Sequence, residues 1–410
     1  MAGNSTQEMT TVMFDLDMTE NGTNSTLNGT DGGIRPPMPS FDLETILNSY
    51  VEYRWSRYLG IYCYPILVVL GTIGNVLSFI VMTRKTMLRS STCYYMAVLA
   101  VADTMVLYFG CLRKWFAYLT GWDALILSPA ACKIFNFLTY WSFDFAAWIL
   151  VAMTVERYIA IHFPFTVTKH ATIPRAKVVS IFLGVIFVGI NAHFFATVTI
   201  SDRGYCSSQE EYIRFNDYVF PWIDAALYSF IPFIVLLVFN ILIILDSRKA
   251  IKRQQTLQAS SLNNTNTFTI RSNSRLTVML LSVSLTFLVA SAPKAALIII
   301  KPYTFDFYDG PLVDFHLLSK YTLTASVMNF LTYGNHAINF LLYCINGQKF
   351  RSELKRLIYV CTHRKQRRRI ASLQIEMGDG VRRNSTCTDL VMKSMPDSIT
   401  TIRDPQVSEP

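Results

Sequence analysis

Residues Cys132 to Tyr158 read C-K-I-F-N-F-L-T-Y-W-S-F-D-F-A-A-W-I-L-V-A-M-T-V-E-R-Y, and this stretch decides the fold. At about 1.5 Å of rise per residue, a helix from Cys132 to Arg157 spans about 37 Å, more than the roughly 30 Å hydrocarbon thickness of a bilayer. A thiol then sits at one membrane face. Glu156 and Arg157 sit at the other, where their charges still reach water or a partner. Asp144, near mid-depth, is a costly carboxylate that demands a partner, a wet cavity or a function.

The rest of the chain wraps around this helix. Half of the residues (51%) are hydrophobic and only 16% are charged, a balance that excludes an ordinary soluble enzyme of this size. The net charge of +9 comes from basic residues beside apolar runs and in the distal tail, which fits membrane orientation and not nucleic-acid binding.

Apolar runs of spanning length occur at 59–82, 92–112, 131–159, 177–198, 218–245, 276–300 and 321–345. The chain is therefore expected to be an all-α membrane protein, a seven-transmembrane helix bundle. The fourth run, with Asn191 and His193, and the seventh, with Gly334, Asn335, His336 and Asn339, are the least uniformly apolar. Arg84, Lys85, Arg89, Lys169, Arg175 and six basic residues between Arg248 and Arg275 fall in the loops of one side. Arg113, Lys114, Arg203, Arg214, Lys301 and Lys320 fall on the other. The richer side faces the cytoplasm, so the amino terminus is expected outside and the carboxyl terminus inside, at the plasma membrane.

Four regions follow. Residues 1–54 form a disordered exterior tail with N-x-S/T triplets at Asn4, Asn21, Asn24 and Asn28, expected to be glycosylated. Residues 55–346 form the membrane domain. Residues 347–361 carry Phe350, Leu354, Leu357 and Ile358 at helical spacing among Lys and Arg, an amphipathic helix for the inner lipid leaflet, with Cys361 as a palmitoylation site. Residues 362–410, rich in Ser and Thr, are expected to be disordered and open to kinases. Most of the eight cysteines lie inside apolar runs. Cys132 and Cys206 instead share one edge of the bundle, which points to one extracellular disulfide.

The motifs, in order, are G-N-V with Asn75, L-A-V-A-D with Asp103, Cys132 and E-R-Y in the third run, Pro232 in the fifth, F-L-V-A-S-A-P in the sixth and N-F-L-L-Y in the seventh. Over about residues 55–361 the chain resembles the rhodopsin-like G-protein-coupled receptors. Its E-R-Y, aromatic richness and N-F-L-L-Y-C ending are similar to invertebrate neuropeptide receptors of the FMRFamide-like groups. The resemblance implies an extracellular peptide ligand, coupling to heterotrimeric G proteins, and kinases and arrestin at the tail.

It also implies site residues. Glu156, Arg157 and Tyr158 form the inner switch, with Asn339 and Tyr343 in the seventh helix and Phe287 and Pro293 in the sixth. Asn75, Asp103, Asn335 and Asn339 form a polar cluster that either binds a modulating sodium ion or joins helices without one. The family's small polar residue in the third helix is Ala146 here. Three further departures are Asn240 for the fifth-helix tyrosine, Phe340 for the seventh-helix proline and Ser291 for the sixth-helix tryptophan. Activation must therefore pass through other rings, among them Phe143, Phe145, Trp148 or Phe230.

The amine-receptor aspartate is replaced by Thr139 and the opsin lysine by Tyr333, so neither ligand chemistry is available. Arg113, Lys114, Asp144, Asp224 and Lys294 remain, and two readings fit them. Either they line a ligand pocket with Thr139, Tyr140, Trp222, Tyr228 and Tyr333, presenting an acidic spot to a basic peptide group, or Lys294 pairs with Asp144 or Asp224 to fix helix packing. Competing functions are a receptor for a lipid or other small molecule, and a seven-span transporter or channel. An intramembrane enzyme is disfavoured by the lack of a His/Glu or metal-ligand cluster in the runs.

Overall fold

The computed structural model describes residues 43–163, 171–202, 204–258, 278, 280–294, 296–297, 314–360 and 362. The four sequons, Cys361 and the tail beyond residue 362 lie outside the described residues. The chain divides into two units, Met1–Glu353 and Leu354–Pro410. In the second, residues 354–360 and 362 are described and are helical.

Among the described residues of the first unit, five helices are long and apolar enough to cross a membrane: α1 (Val51–Met82), α2 (Ser91–Thr120), α3 (Pro129–His162), α4 (Ile173–Thr197) and α5 (Glu210–Lys249). A sixth, α6, is shorter in its described part (Leu280–Lys294). The seventh, α7 (Phe315–Asn346), has 32 residues, about 48 Å at the α-helical rise. Polar side chains cap two of these helices. Ser128 accepts from the amide of Ala131 at 3.1 Å ahead of Pro129, and Asp314 accepts from the amides of His316 and Leu317. The first helix begins at Val51, ahead of residue 55, with no side-chain cap at Tyr50.

Of the most apolar window of α3, 67% is buried inside the protein, against 22% for α4. The third helix is the axis and the fourth is peripheral. The face of α4 formed by Val178, Ile181, Phe182 and Val185 is exposed, as suits a helix whose partner on that side is lipid tails. The α7 helix packs against α1 and α2 and runs unbroken through Phe340. With no proline there, no backbone hydrogen bond is lost and no kink source exists.

Four π-type turns interrupt the helices, at Leu59–Cys63, Leu107–Leu112, Arg214–Val219 and Ala225–Phe230. Such turns free backbone carbonyls from the regular ladder. Side chains of α3 take two of them: Thr139 Oγ1 donates to the Phe109 carbonyl at 3.2 Å, and Trp148 Nε1 donates to the Leu227 carbonyl at 2.8 Å. The axis helix thus recognises two irregular turns by hydrogen bonds as well as by packing.

Beyond the Cys132 end of α3 lies a two-stranded antiparallel hairpin, β1 (Val198–Ile200) and β2 (Cys206–Ser208), with Ile200 opposite Cys206. Gly204 turns it with φ of 82°, a conformation that favours glycine. A disulfide joins Cys132 to Cys206, Cα atoms 5.5 Å apart, as the sequence led us to expect. Leu125, Tyr140, Phe194, Val198 and Phe220 pack around it.

Candidate functional site

The buried charges singled out in the sequence separate into two groups. Arg113 stands at the end of a π-type turn and pairs with Asp123 at 2.6 Å. That carboxylate also accepts the Leu125 amide, so Arg113 is committed to the loop after α2. Asp144, Asp224 and Lys294 form the other group. Asp144 is 2% exposed, and its Oδ2 accepts from Asn191 Nδ2 of α4 at 2.9 Å. Asp144 Oδ1 and Asn191 Oδ1 have no protein hydrogen-bond partner. Asp224, on α5 directly before a π-type turn, lies within electrostatic reach of both Asp144 and Lys294.

Lys294 does not close the salt bridge that one of the two readings called for. Among the described residues no ion pair within 4.0 Å joins it to Asp144 or Asp224. Its Nζ instead lies 5.0 Å from the ring centroid of Phe143 and 6.0 Å from that of Tyr228. A cation over aromatic faces at such distances gains roughly 0.5–2 kcal/mol. Asp144, Asp224 and Lys294 therefore share a buried level of the bundle with hydrogen-bonding capacity left over, and the buried Lys114 lies within electrostatic reach of Lys294.

The other expected pocket residues scatter. Tyr228 and Tyr333 flank Phe143, with ring centroids 5.2 and 6.0 Å away. Tyr140 stacks on Phe194 and meets Phe220 beneath the hairpin. Thr139 turns to the α2 backbone. Trp222 is 43% exposed, unlike the buried Asp224 and Tyr228.

Phe143 is the hub of this region. Its ring touches α5 through Tyr228, α6 through Lys294 and α7 through Tyr333 and His336. Tyr228 in turn meets Phe287 of α6, centroids 6.0 Å apart. The other relay rings named from the sequence do different work. Phe145 stacks on Trp141, whose indole donates to the Gly184 carbonyl of α4, and Trp148 is bound to α5. Tyr333 approaches α2 at Gly110, where a Cβ would stand 2.8 Å from the tyrosine ring.

Below Phe143 lies Asp103, 1% exposed. One carboxylate oxygen is 2.7 Å from His336 Nδ1, and the other accepts from Asn339 Nδ2 at 2.7 Å. This corrects the expected partners: Asn75 donates to the His336 carbonyl at 3.1 Å, and Asn335 makes no bond to the acid. His336 is the residue the sequence reading missed. Its signal was position, since it stands three residues before Asn339 and shares that helix face.

At the far end of α3, Arg157 is buried and Glu156 accepts from the Ser91 hydroxyl of α2 at 2.5 Å. Tyr158 stacks on His162, which meets Asp246 of α5 at 2.6 Å. Thr154 and Ser284 hydroxyls, 3.3 Å apart, tie α3 to α6. Asn346 donates to Ser282 at 2.9 Å, tying α7 to α6. Asn240 is buried with no protein partner for either side-chain amide atom. Tyr343 and Phe340 both pack on Phe350.

A long buried axis helix, a disulfide-tied hairpin at one end, an E-R-Y at the other and a buried acid between them define a multi-pass membrane receptor. The model of the 7 transmembrane receptor (rhodopsin family) matches residues 74–343, and the chain belongs to that family, as a G-protein-coupled receptor. It is 28% identical to the thyrotropin-releasing hormone receptor of Homo sapiens, over 70% of this chain and 75% of that one. It is 25% identical to the sex peptide receptor of Drosophila melanogaster, over 76% and 74%. It is also 26% identical to a probable G-protein coupled receptor of Caenorhabditis elegans, over 71% and 68%.

Proposed function

We propose that this receptor takes an extracellular peptide at the Asp144, Asp224 and Lys294 level of the bundle and activates heterotrimeric G proteins at the Arg157 end. The amino terminus and hairpin are outside and the carboxyl terminus is in the cytoplasm of a plasma-membrane protein. The observation that carries the reading is the set of buried charges of both signs with spare hydrogen-bonding capacity. Asp144 Oδ1 and Asn191 Oδ1 have no protein partner, and buried polar atoms are seldom left so in a packed core that serves structure alone. A basic side chain or amino terminus of a peptide supplies the donors those acceptors lack. The sex peptide receptor among the relatives supports a peptide in preference to a lipid.

Activation is a population shift. The ligand binds the active arrangement of α5 and α6 better than the resting one, and only that difference in affinity moves the equilibrium. Arg157, Tyr343 and the inner end of α6 are the parts that rearrange, with Phe287 and Pro293 farther along α6 as its packing and hinge residues. Arrestin, kinases and membrane lipid are the further partners of the tail.

The test is nucleotide exchange on a purified G protein, with the receptor in nanodiscs and a panel of amidated peptides with and without a basic residue. Exchange driven by basic peptides and lost in Asp224→Ala, with surface expression kept, supports the reading. Unchanged potency with lowered expression assigns Asp224 to packing. Solute flux without exchange would replace the receptor by a transporter.

A further inference from the structure

The family resemblance suggests a sodium ion beside Asp103, and the residues present do not fit one. Both carboxylate oxygens already face nitrogen atoms at 2.7 Å, one from His336 and one from Asn339. Ala146, across the cavity on α3, offers no oxygen. Asn75 directs its amide nitrogen to the His336 backbone. A hard cation needs a shell of oxygens, and the ring of His336 stands where the acid would supply one.

What remains is a small cavity of about 10 Å³, taken as room for the centre of a water molecule. That is the size of one water. Its walls are largely apolar, with Leu99, Leu150, Val283 and Phe287 among them; Asp103, whose two oxygens are engaged by His336 and Asn339, also borders it, and Asn335, His336 and Asn339 bring further polar atoms. Three of those atoms are buried and have no protein partner: Asn335 Oδ1, Asn339 Oδ1 and His336 Nε2. A water has two hydrogens, one for each of the two amide oxygens. Left unpaired, each of these atoms carries the desolvation cost of a buried polar group.

We propose that the His336 side chain is the resident partner of Asp103, that it occludes the acid from metal cations, and that the cavity beneath takes a single water. The polar centre of this receptor is then indifferent to sodium. This inference concerns the polar centre alone and stands whichever ligand the outer site binds.

The experiment compares thermal midpoints of the full-length receptor in nanodiscs in sodium chloride and in choline chloride at equal ionic strength. The natural chain is expected to melt at the same temperature in both. His336→Ala frees one carboxylate oxygen and enlarges the cavity, and is expected to gain a sodium-specific rise of a few degrees that Asp103→Asn in the same background removes. His336→Ser serves if the alanine variant does not accumulate. A sodium-specific rise in the natural chain that Asp103→Asn abolishes overturns the proposal. So does sodium indifference in both His336 variants, because the imidazole would then not be what keeps the cation out.

Discussion

The ring of Phe143 meets the imidazole of His336 nearly edge-on, with centroids 5.4 Å apart, and the Lys294 ammonium lies over the same ring, 5.0 Å from its centroid. One side chain of the axis helix therefore touches both the outer charges and the partner of Asp103. Where Ser291 stands in α6 the family carries a large aromatic pivot, and the Ser291 hydroxyl is buried without a protein partner. Phe143 of α3 and Tyr228 of α5 bring aromatic rings to α6, where Tyr228 meets Phe287.

Phe143→Leu is expected to keep most of the packing, since volume-conserving apolar changes cost less than about 1.5 kcal/mol. It removes the face on which Lys294 rests and the edge contact to His336. Ligand affinity should stay near that of the natural chain while the maximal rate of ligand-driven nucleotide exchange falls. Phe143→Ala is expected to lose about 3–5 kcal/mol of stability as well, read as a lower thermal midpoint. Equal maximal exchange in the leucine variant would remove Phe143 from the relay.

Trp148→Phe tests the bond to the π-type turn of α5. The indole nitrogen reaches the Leu227 carbonyl at 2.8 Å, and losing the donor leaves that oxygen unpaired at a cost of about 1–3 kcal/mol. A lowered thermal midpoint is expected, with ligand affinity reduced in parallel because Asp224 directly precedes the turn. Thr139→Val, which removes the bond to Phe109, should lower the midpoint without the same effect on an Asp224-dependent ligand.

Gly110→Ala places a methyl 2.8 Å from the buried Tyr333 ring. Overpacking of this kind costs about 1–3 kcal/mol. The loss should be recovered largely in Gly110→Ala with Tyr333→Leu, because the smaller side chain vacates the space. Additive losses in the double variant would show that the strain lies in the α2 backbone.

The class of fold was legible because each of its signals is local: length of apolar runs, charge bias between loops, and short motifs at fixed places. The Cys132 to Cys206 link was legible for the same reason, both thiols standing at one edge of the bundle. Partner choice was not. Asp103 could be recognised as a buried acid, but whether Asn75, Asn335 or His336 reaches it depends on the rotation of α7 against α1 and α2, which periodicity leaves free over roughly one residue. For Lys294, charge alone left two readings open, a carboxylate partner or a ligand pocket. Its ammonium lies over two rings because the α3 face that meets α6 presents Phe143. The π-type turns have no sequence marker here, and with them went the carbonyl bonds of Thr139 and Trp148.

Cys132→Ala, Cys206→Ala and the double variant should be equally impaired in folding and surface expression, because each removes the same bond. The sequence separation of 74 residues makes the loss about 4 kcal/mol by loop-closure entropy. A double variant clearly worse than either single one would mean that a thiol contributes beyond the disulfide. Asn136 is the residue to examine then, as its amide lies 3.2 Å from Cys206 Sγ.

Arg157→Ala is expected to abolish ligand-driven exchange while leaving ligand affinity within about threefold, since Arg157 lies at the opposite end of α3 from the hairpin and some 20 Å along the helix from Asp144. The variant also leaves Glu156 bonded to Ser91, so α2 and α3 stay tied and the loss is not one of folding. Arg157→Lys separates charge from shape: lysine keeps a cation but not the planar five-donor fork. Exchange restored by lysine would make the residue a point charge. Exchange absent in both variants, with thermal midpoints unchanged, assigns the coupling to the guanidinium itself, and persistent exchange in Arg157→Ala would place the G-protein contact elsewhere on the inner face.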